Sequence, residues 1–296
     1  MLPDEPARTG AEGGHQLPGC YRHPERETGV ACGRCGRPIC PECMVSASVG
    51  FQCPECVQGG HREVRRARTR FGGLPVADGA LVTKTLIGLN LLVFVLTEYV
   101  RPEWWDTLAL QSAAPPHWFE TYGVAAGPEQ WYRLVTAMFV HGGVAHLVMN
   151  MVSLWVLGPQ LERVLGRLRF TGLYVVSGLM GGAFSYLFAG ERLNSVGASG
   201  AIFGLLGATA VLYRVSRVPL GPVIALLVFN LVITFALSSV IDWRAHLGGL
   251  VAGAVTGVGL MYAPQARRGL VQGLTVAGVL AATVLIVVLQ TARLNG

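Results

Sequence analysis

The sequence has little charge and almost no lysine. Of its 296 residues, 14% are charged and 52% are hydrophobic, and Lys84 is the only lysine. Its mean hydropathy is +0.48. Soluble domains carry about 25% charged residues, so this deficit argues against an ordinary soluble protein and indicates a polytopic membrane protein. Residues 1–80 are polar and rich in arginine. We therefore expect a small soluble unit followed by a membrane unit.

Long apolar runs begin only after residue 80. A helix that spans a bilayer needs about 20 mainly apolar residues, and seven segments meet this requirement. They lie near 83–100, 138–157, 170–190, 198–214, 219–238, 245–262 and 270–291. The fourth and sixth are rich in glycines spaced four residues apart, which is typical of helices in close contact.

Arginines are distributed unevenly among the predicted loops. They precede the first span and follow the second, fourth and sixth, whereas the other loops are mixed or acidic. By the positive-inside rule, the N-terminus then lies in the cytoplasm, and the fourth and sixth spans both start at the outer face. The arginines between 62 and 70 indicate membrane topology or contact with the lipid bilayer more than binding of nucleic acid, so no nucleic-acid partner is expected.

Ser199 and His246 each lie near the start of a predicted span, and therefore at similar depth. Polar residues within spans are rare and usually functional, and a serine hydroxyl becomes a nucleophile when a histidine accepts its proton. The motif Gly197-Ala198-Ser199-Gly200 is followed by Ala201, so it is not the G-x-S-x-G elbow of α/β-hydrolases. The alternative for a lone helical serine is a hydrogen bond to its own backbone.

His146 and Asn150 are four residues apart in the second predicted span and share one helix face. Their side chains can donate hydrogen bonds to a developing oxyanion. A structural polar cluster that satisfies itself is the alternative. Trp131-Tyr132-Arg133 ends the long first loop, where a segment at the membrane interface is expected.

Together, these motifs resemble those of the rhomboid intramembrane serine proteases. The residues that carry the resemblance are, in chain order, Trp131-Tyr132-Arg133, His146 to Asn150, Gly158 with Glu162, Gly197 to Gly200, and Ala245 to Gly249. The resemblance implies a six-helix rhomboid core over 83–264 and an additional C-terminal transmembrane helix over 265–296. The expected fold class is thus an all-α polytopic membrane protein with seven transmembrane helices, preceded by a small Cys/His zinc-binding domain.

The resemblance also implies roles for individual residues. Ser199 would be the nucleophile and His246 the general base, while His146, Asn150 and the Ser199 backbone N–H would form the oxyanion hole. The family uses a dyad without a carboxylate, and its histidine packs on an aromatic four residues after the serine, here Phe203. Asp242 is an alternative partner for the histidine. Arg133 and Glu162 are expected to be structural.

The activity implied is serine-type endopeptidase cleavage of transmembrane-helix substrates near the outer face of the cell membrane, with no cofactor for catalysis. A catalytically silent rhomboid-like adaptor that binds membrane helices is the alternative. A transporter is disfavoured because the sequence has no evident inverted repeat.

All seven cysteines lie between residues 20 and 56, where with His23 they form four pairs, each separated by two residues. The pairs are Cys20 with His23, Cys32 with Cys35, Cys40 with Cys43, and Cys53 with Cys56. Eight such ligands fill two tetrahedral zinc sites. The alternative, a disulfide framework, is disfavoured by the odd number of cysteines and the reducing cytoplasm. We therefore expect two structural zinc ions.

The spacing resembles that of a B-box-type zinc finger, which implies that the first and third pairs share one metal and the second and fourth pairs share the other. Sequential pairing stays open. The expected boundaries are a disordered tail over 1–17, a zinc-binding domain over 18–60 and a basic linker over 61–82. A protein partner of the zinc-binding domain on the inner face is expected.

Overall fold

The structure, a computed structural model, describes residues 17–63, 67–76, 78–111, 130–189, 194–236 and 241–295. The chain forms two compact units, Met1–Arg66 and Ala67–Gly296, and each is described by itself. The expected tail over 1–17 lies outside the described residues except for its last position.

The N-terminal unit is small and has little regular structure. A 3₁₀ turn at Pro41–Cys43 precedes the antiparallel strands β1 (Val45–Ser46) and β2 (Phe51–Gln52), and helix α1 spans Pro54–Glu63. Its buried core consists of cysteines around Ile39. A core with so few aliphatic side chains contributes little stability, so a domain of this size needs another source of cohesion.

The C-terminal unit is mostly helical. Its elements are α2 (Leu81–Val95) continued by a π turn (Leu96–Val100), α3 (Trp104–Leu108), β3 (Leu110–Gln111), α4 (Arg133–Thr136), α5 (Val144–Leu165), α6 (Arg167–Ala189), β4 (Asn194–Ser195), α7 (Ser199–Ser216), α8 (Gly221–Ala236), α9 (Trp243–Met261), a 3₁₀ turn (Gln265–Arg267) and α10 (Arg268–Asn295). Strands β3 and β4 pair antiparallel.

Five segments of the described chain are long and apolar enough to cross a membrane. They are Leu81–Val100, Val144–Leu165, Arg167–Phe188, Ser199–Ser216 and Gln265–Leu294. Helix α8 is apolar but shorter, and the 19-residue α9 packs against α6, α7 and α10. The expected fold class, a helical multi-pass membrane protein with an N-terminal Cys/His cluster region, is confirmed.

The second predicted span differs most from the structure. It was expected over 138–157, whereas α5 runs from Val144 to Leu165. Gly143 adopts a φ of +119°, a left-handed value that starts the helix late, and Gly166 ends it with a φ of +78°. The helix continues past Pro159 and buries Leu161 and Leu165 in the core of the unit.

Helices α6, α7 and α9 form the centre of the membrane unit, and glycines bring their backbones into contact. A Cβ on Gly207 of α7 would lie 2.6 Å from the carbonyl oxygen of Leu250 in α9. A Cβ on Gly181 of α6 would lie 2.8 Å from the carbonyl oxygen of Ala245. Helix α9 is thus held between two neighbours at backbone distance. Helix α8 is peripheral.

Glu162 joins α5 to the start of α2. Its fully buried carboxylate accepts hydrogen bonds from Val82 N, Thr83 N and Thr83 Oγ1, each at 2.9 Å. The first backbone N–H groups of a helix have no partner within the helix, so this carboxylate caps α2 from another helix. Gly158 provides the space, because a Cβ there would lie 2.6 Å from Thr83 Oγ1.

Candidate active site

Ser199 is the first residue of α7, and the chain leading to it is held in place. Gly197 has a φ of +119°, and its N–H donates to the carbonyl oxygen of Ala137 at 2.8 Å. Just upstream, Ser195 pairs with Leu110 in the β3–β4 ladder. The half-buried Ser199 therefore lies at the positive end of the helix dipole, which favours negative charge on a bound group.

His246 lies in the first turns of α9, which pack against the start of α7, where Ser199 lies. A Cβ on Gly200, the residue after Ser199, would lie 3.3 Å from the carbonyl oxygen of Ala245, the residue before His246. His246 is 6% exposed. The residues next to the proposed nucleophile and base are thus close to one another.

The imidazole of His246 is fixed from two sides. Its ring stacks on Phe203 with 4.1 Å between centroids and an interplanar angle of 15°, in the arrangement that the resemblance implied. Its Nδ1 lies 2.8 Å from Oγ1 of Thr234 in α8. Thr234 is 2% exposed, and within α8 only Val223 is also buried. Sequence reasoning missed Thr234, because a lone threonine in an apolar helix gives no signal of this contact.

Asp242 was considered above as a partner for His246, but in the structure it has a different role. It caps the start of α9, where its Oδ1 accepts hydrogen bonds from Arg244 N at 3.1 Å and Ala245 N at 3.4 Å. Its Oδ2 accepts a hydrogen bond from Ser185 Oγ. Within the described residues, the hydrogen-bond partner of the His246 ring is Thr234 and not this carboxylate.

His146 and Asn150 lie next to the backbone that leads into Ser199. A Cβ on Gly197 would lie 2.7 Å from His146 Nε2 and 3.7 Å from Asn150 Nδ2. The backbone N–H of Gly142 donates to His146 Nδ1 at 3.3 Å. Because Nδ1 accepts, the neutral ring carries its proton on Nε2. Two hydrogen-bond donors therefore face the turn before Ser199.

Arg133 lies away from these groups. Its guanidinium is buried and donates to the carbonyl oxygens of Asp106 and Ala109, the latter at 2.9 Å, and to Gln130 Oε1 at 2.9 Å. It therefore orders the chain around β3, which in turn pairs with β4 ahead of Ser199.

The N-terminal unit contains two groups of potential metal ligands. One group is Cys20, His23, Cys40 and Cys43, and the other is Cys32, Cys35, Cys53 and Cys56. Within each, the ligand atoms lie within 4.8 Å of one another. The structure therefore has the interleaved pairing that the B-box resemblance implied, and all seven cysteines are free.

The distances fit a tetrahedral metal ion. Sulfurs bound to zinc at about 2.3 Å lie about 3.8 Å apart, and the Cys35 and Cys53 Sγ atoms are separated by 3.8 Å. His23 Nδ1 lies 3.3 Å from Cys40 Sγ. Four Cys or His donors in each group suit a structural rather than a catalytic ion.

The thiols in each group ionise unequally. Burial opposes ionisation of Cys20 and Cys32, but hydrogen bonds from nearby backbone groups outweigh it and lower the pKa of each thiol to about 6. Burial and the neighbouring thiols raise the pKa of Cys43 to about 11. Hydrogen bonding to Cys53, with burial, raises the pKa of Cys56 to about 12. A divalent cation would relieve the mutual repulsion of the thiolates and allow the full set to ionise.

Comparison with known proteins identifies the family. The Rhomboid domain family model matches residues 128–263, which include Ser199, His246, His146 and Asn150. The chain is 35% identical over 157 residues to "Putative rhomboid protease YdcA" of Bacillus subtilis, a match that covers 50% of this chain and 78% of that protein. The chain belongs to the rhomboid family. It is a multi-pass membrane protein with two N-terminal Cys/His groups suited to metal.

Other rhomboids match over shorter shares of their length. RHOMBOID-like protein 5 of Arabidopsis thaliana is 42% identical over 146 residues, which are 46% of each chain. Rhomboid protease GluP of Bacillus subtilis is 39% identical over 129 residues, which are 42% of this rhomboid and 25% of GluP. The chain thus spans about half or less of the length of several relatives, and the N-terminal unit with its two Cys/His groups lies outside the matched Rhomboid domain.

Proposed function

We propose that this rhomboid is an intramembrane serine endopeptidase with Ser199 as nucleophile and His246 as general base. The observation that carries the proposal is the backbone contact between Gly200 and Ala245, with His246 held by Phe203 and Thr234 beside it. A histidine whose Nδ1 is engaged has Nε2 left for the serine, as a base in such a dyad requires.

In this mechanism, His246 Nε2 accepts the proton of Ser199 Oγ as Oγ bonds to the scissile carbonyl carbon. The carbonyl oxygen becomes an oxyanion, which accepts hydrogen bonds from His146 Nε2, Asn150 Nδ2 and the Ser199 N–H. Collapse of the intermediate breaks the C–N bond, and His246 returns the proton to the leaving amine. Water then hydrolyses the acyl-enzyme with the same base.

We propose transmembrane helices as substrates, in line with the family. The loop arginines support an orientation with the N-terminus in the cytoplasm, which puts Ser199 toward the outer face of the cell membrane. Peptide bonds within a helix are shielded, so a cleavable segment must unwind locally. Small or helix-weakening residues near its outer end are the expected preference.

The alternative is a catalytically silent membrane adaptor that binds transmembrane helices. The presence of both Ser199 and His246 favours the enzyme. An adaptor has no need of a stacked, hydrogen-bonded imidazole next to a serine at a helix N-terminus.

The experiment is cleavage of tagged transmembrane substrates by the purified protein in liposomes. Wild type should cleave, whereas Ser199→Ala and His246→Ala should not. Ser216→Ala, the same substitution at the far end of α7, is the matched control and should retain activity. Cleavage by Ser199→Ala would contradict the proposed nucleophile, and failure of wild type on every substrate would favour the adaptor.

We further propose that the two Cys/His groups bind two structural zinc ions. The donor sets and the separations of their ligand atoms support this assignment. The metal would supply cohesion to a unit with almost no aliphatic core. The surface built around it would bind a protein partner on the inner side of the membrane.

A further inference from the structure

Three arginines from distant parts of the chain meet at one turn of the membrane unit. Arg68 Nη1 donates to the carbonyl oxygen of Gly72 at 3.0 Å. A Cβ on Gly72 would lie 3.4 Å from Arg268 Nη1 and 3.6 Å from Arg169 Nη2. Gly72 has a φ of +86°, so the turn over Thr69–Gly73 presents its backbone directly to these guanidinium groups. We refer to Arg68, Arg169 and Arg268 as the arginine cluster.

Within the described residues, no ion pair compensates the positive charge of the arginine cluster. The ion pairs of the described residues involve other side chains, and the charges of Arg68 and Arg268 repel that of Arg169. Helix α6 begins at Arg167 and α10 at Arg268, so two helix N-termini add positive potential there. Such an arrangement attracts an anion.

Arg169 of the cluster is positioned by a hydrogen-bond network. Gln272 of α10 is 4% exposed, and its Oε1 accepts a hydrogen bond from Arg169 Nε at 2.7 Å. Its Nε2 donates to the carbonyl oxygens of Phe71 at 3.0 Å and Leu260 at 2.8 Å. This one amide ties together the turn, α6, α9 and α10. Because Arg169 uses Nε for this bond, its terminal nitrogens remain directed toward Gly72.

We propose that the arginine cluster binds the phosphate of an anionic phospholipid. Guanidinium groups match phosphate oxygens in a forked geometry, and basic pockets between membrane helices suit acidic headgroups. Next to the cluster, α10 exposes Leu270 (60%) and Leu274 (63%), an apolar surface on which acyl chains can lie. This neighbouring surface is the reason to name a phospholipid rather than a soluble phosphate.

The test is lipid retention by the purified full chain, measured by native mass spectrometry after reconstitution in phosphatidylcholine vesicles with or without phosphatidylglycerol. Wild type should retain phosphatidylglycerol in preference to phosphatidylcholine. The double variant Arg169→Gln/Arg268→Gln should weaken binding of phosphatidylglycerol at least tenfold. The matched control, Arg214→Gln/Arg217→Gln, removes the same charge from the end of α7 on the same proposed side and should change binding less than twofold.

A single variant and a competition experiment complete the test. Arg268→Gln alone, which leaves the Arg169–Gln272 bond intact, should also weaken lipid binding if the double variant is unstable. Inorganic phosphate at millimolar concentration should not displace the lipid. Equal loss in the control and cluster variants, retention of phosphatidylcholine as strong as that of phosphatidylglycerol, or displacement by inorganic phosphate would each overturn the proposal. Because lipid retention is measured without substrate, this result is independent of the proposed protease activity.

Discussion

Thr234→Val removes the hydroxyl next to His246 Nδ1 while nearly preserving the shape of the side chain. In the productive tautomer, His246 Nε2 is unprotonated and Nδ1–H donates to Thr234 Oγ1 over 2.8 Å. As the imidazole accepts the serine proton it becomes positively charged, so this hydrogen bond strengthens toward the transition state. Valine offers no acceptor at the same position. We therefore expect the substitution to act mainly on kcat.

The magnitude follows from the burial of the pair. Thr234 is 2% and His246 6% exposed, so water cannot easily replace the lost partner. Only the difference between the ground and transition states changes kcat, and a hydrogen bond to a charged group contributes about 1–1.5 kcal/mol more than a neutral one. Since about 1.4 kcal/mol is a factor of ten in rate, we expect kcat to fall about 5- to 10-fold. The KM should change little, because the substrate does not contact this side of the ring in the proposed mechanism.

The assay is steady-state cleavage of a fluorogenic transmembrane substrate by the reconstituted enzyme, with kcat and KM determined separately. Thr234→Ser retains the hydroxyl and should restore most of kcat. The matched control is Thr283→Val, because Thr283 is equally buried but its hydroxyl donates within its own helix to the Val279 carbonyl oxygen at 2.8 Å. The control should leave kcat unchanged.

Two results would refute this reasoning. A Thr234→Val enzyme with the kcat of wild type would mean that the hydrogen bond contributes nothing to the base. A fall in kcat that serine does not rescue would mean that the methyl group, through packing, and not the hydroxyl is what matters.

Three other expectations concern the architecture. Glu162→Gln replaces a buried carboxylate that accepts three hydrogen bonds, so thermal unfolding should show a loss of about 1–3 kcal/mol; an unchanged Tm would argue against the cap. Gly253→Ala forces a Cβ into the backbone of Gly204 and should abolish cleavage. Gly172→Ala is the control, because a Cβ there meets nothing within 4 Å, and it should retain activity. Equal activity of the two variants would exclude a requirement for close packing at Gly253. Cys43→Ser should reduce zinc from two ions to one per chain by elemental analysis, and a chelator should remove both; finding no zinc in wild type would contradict the metal assignment.

Much of the candidate site could be predicted from the sequence because its signals are local. Ser199 and His246 stand out as polar groups in apolar runs, and the four-residue spacing of His146 and Asn150 requires only helical periodicity. The glycine pairs predicted the contact of α7 with α9, since small residues at that spacing are what allow backbones to meet. The separation of two residues within each Cys/His pair likewise predicted ligand pairs.

Other features depend on contacts between residues far apart in the chain. Thr234 is indistinguishable in sequence from a threonine that bonds to its own helix. Asp242 lies one helical turn before His246, which made it a candidate partner, yet its carboxylate caps the helix instead. The start of α5 was misplaced by six residues because the left-handed conformation of Gly143 cannot be read from an apolar pattern.

The sequence by itself determined that this protein is a helical membrane protein with a Cys/His-rich N-terminal unit, because hydropathy, periodicity and short-range spacing act within single elements, and its motifs resemble those of the rhomboids. The tertiary structure alone decided which pairs of cysteines share a site, which residue holds the imidazole of His246, and where Arg68, Arg169 and Arg268 converge. Each of these depends on how elements far apart in sequence pack against one another, and such packing is fixed by the summed contacts of a whole unit rather than by any local pattern.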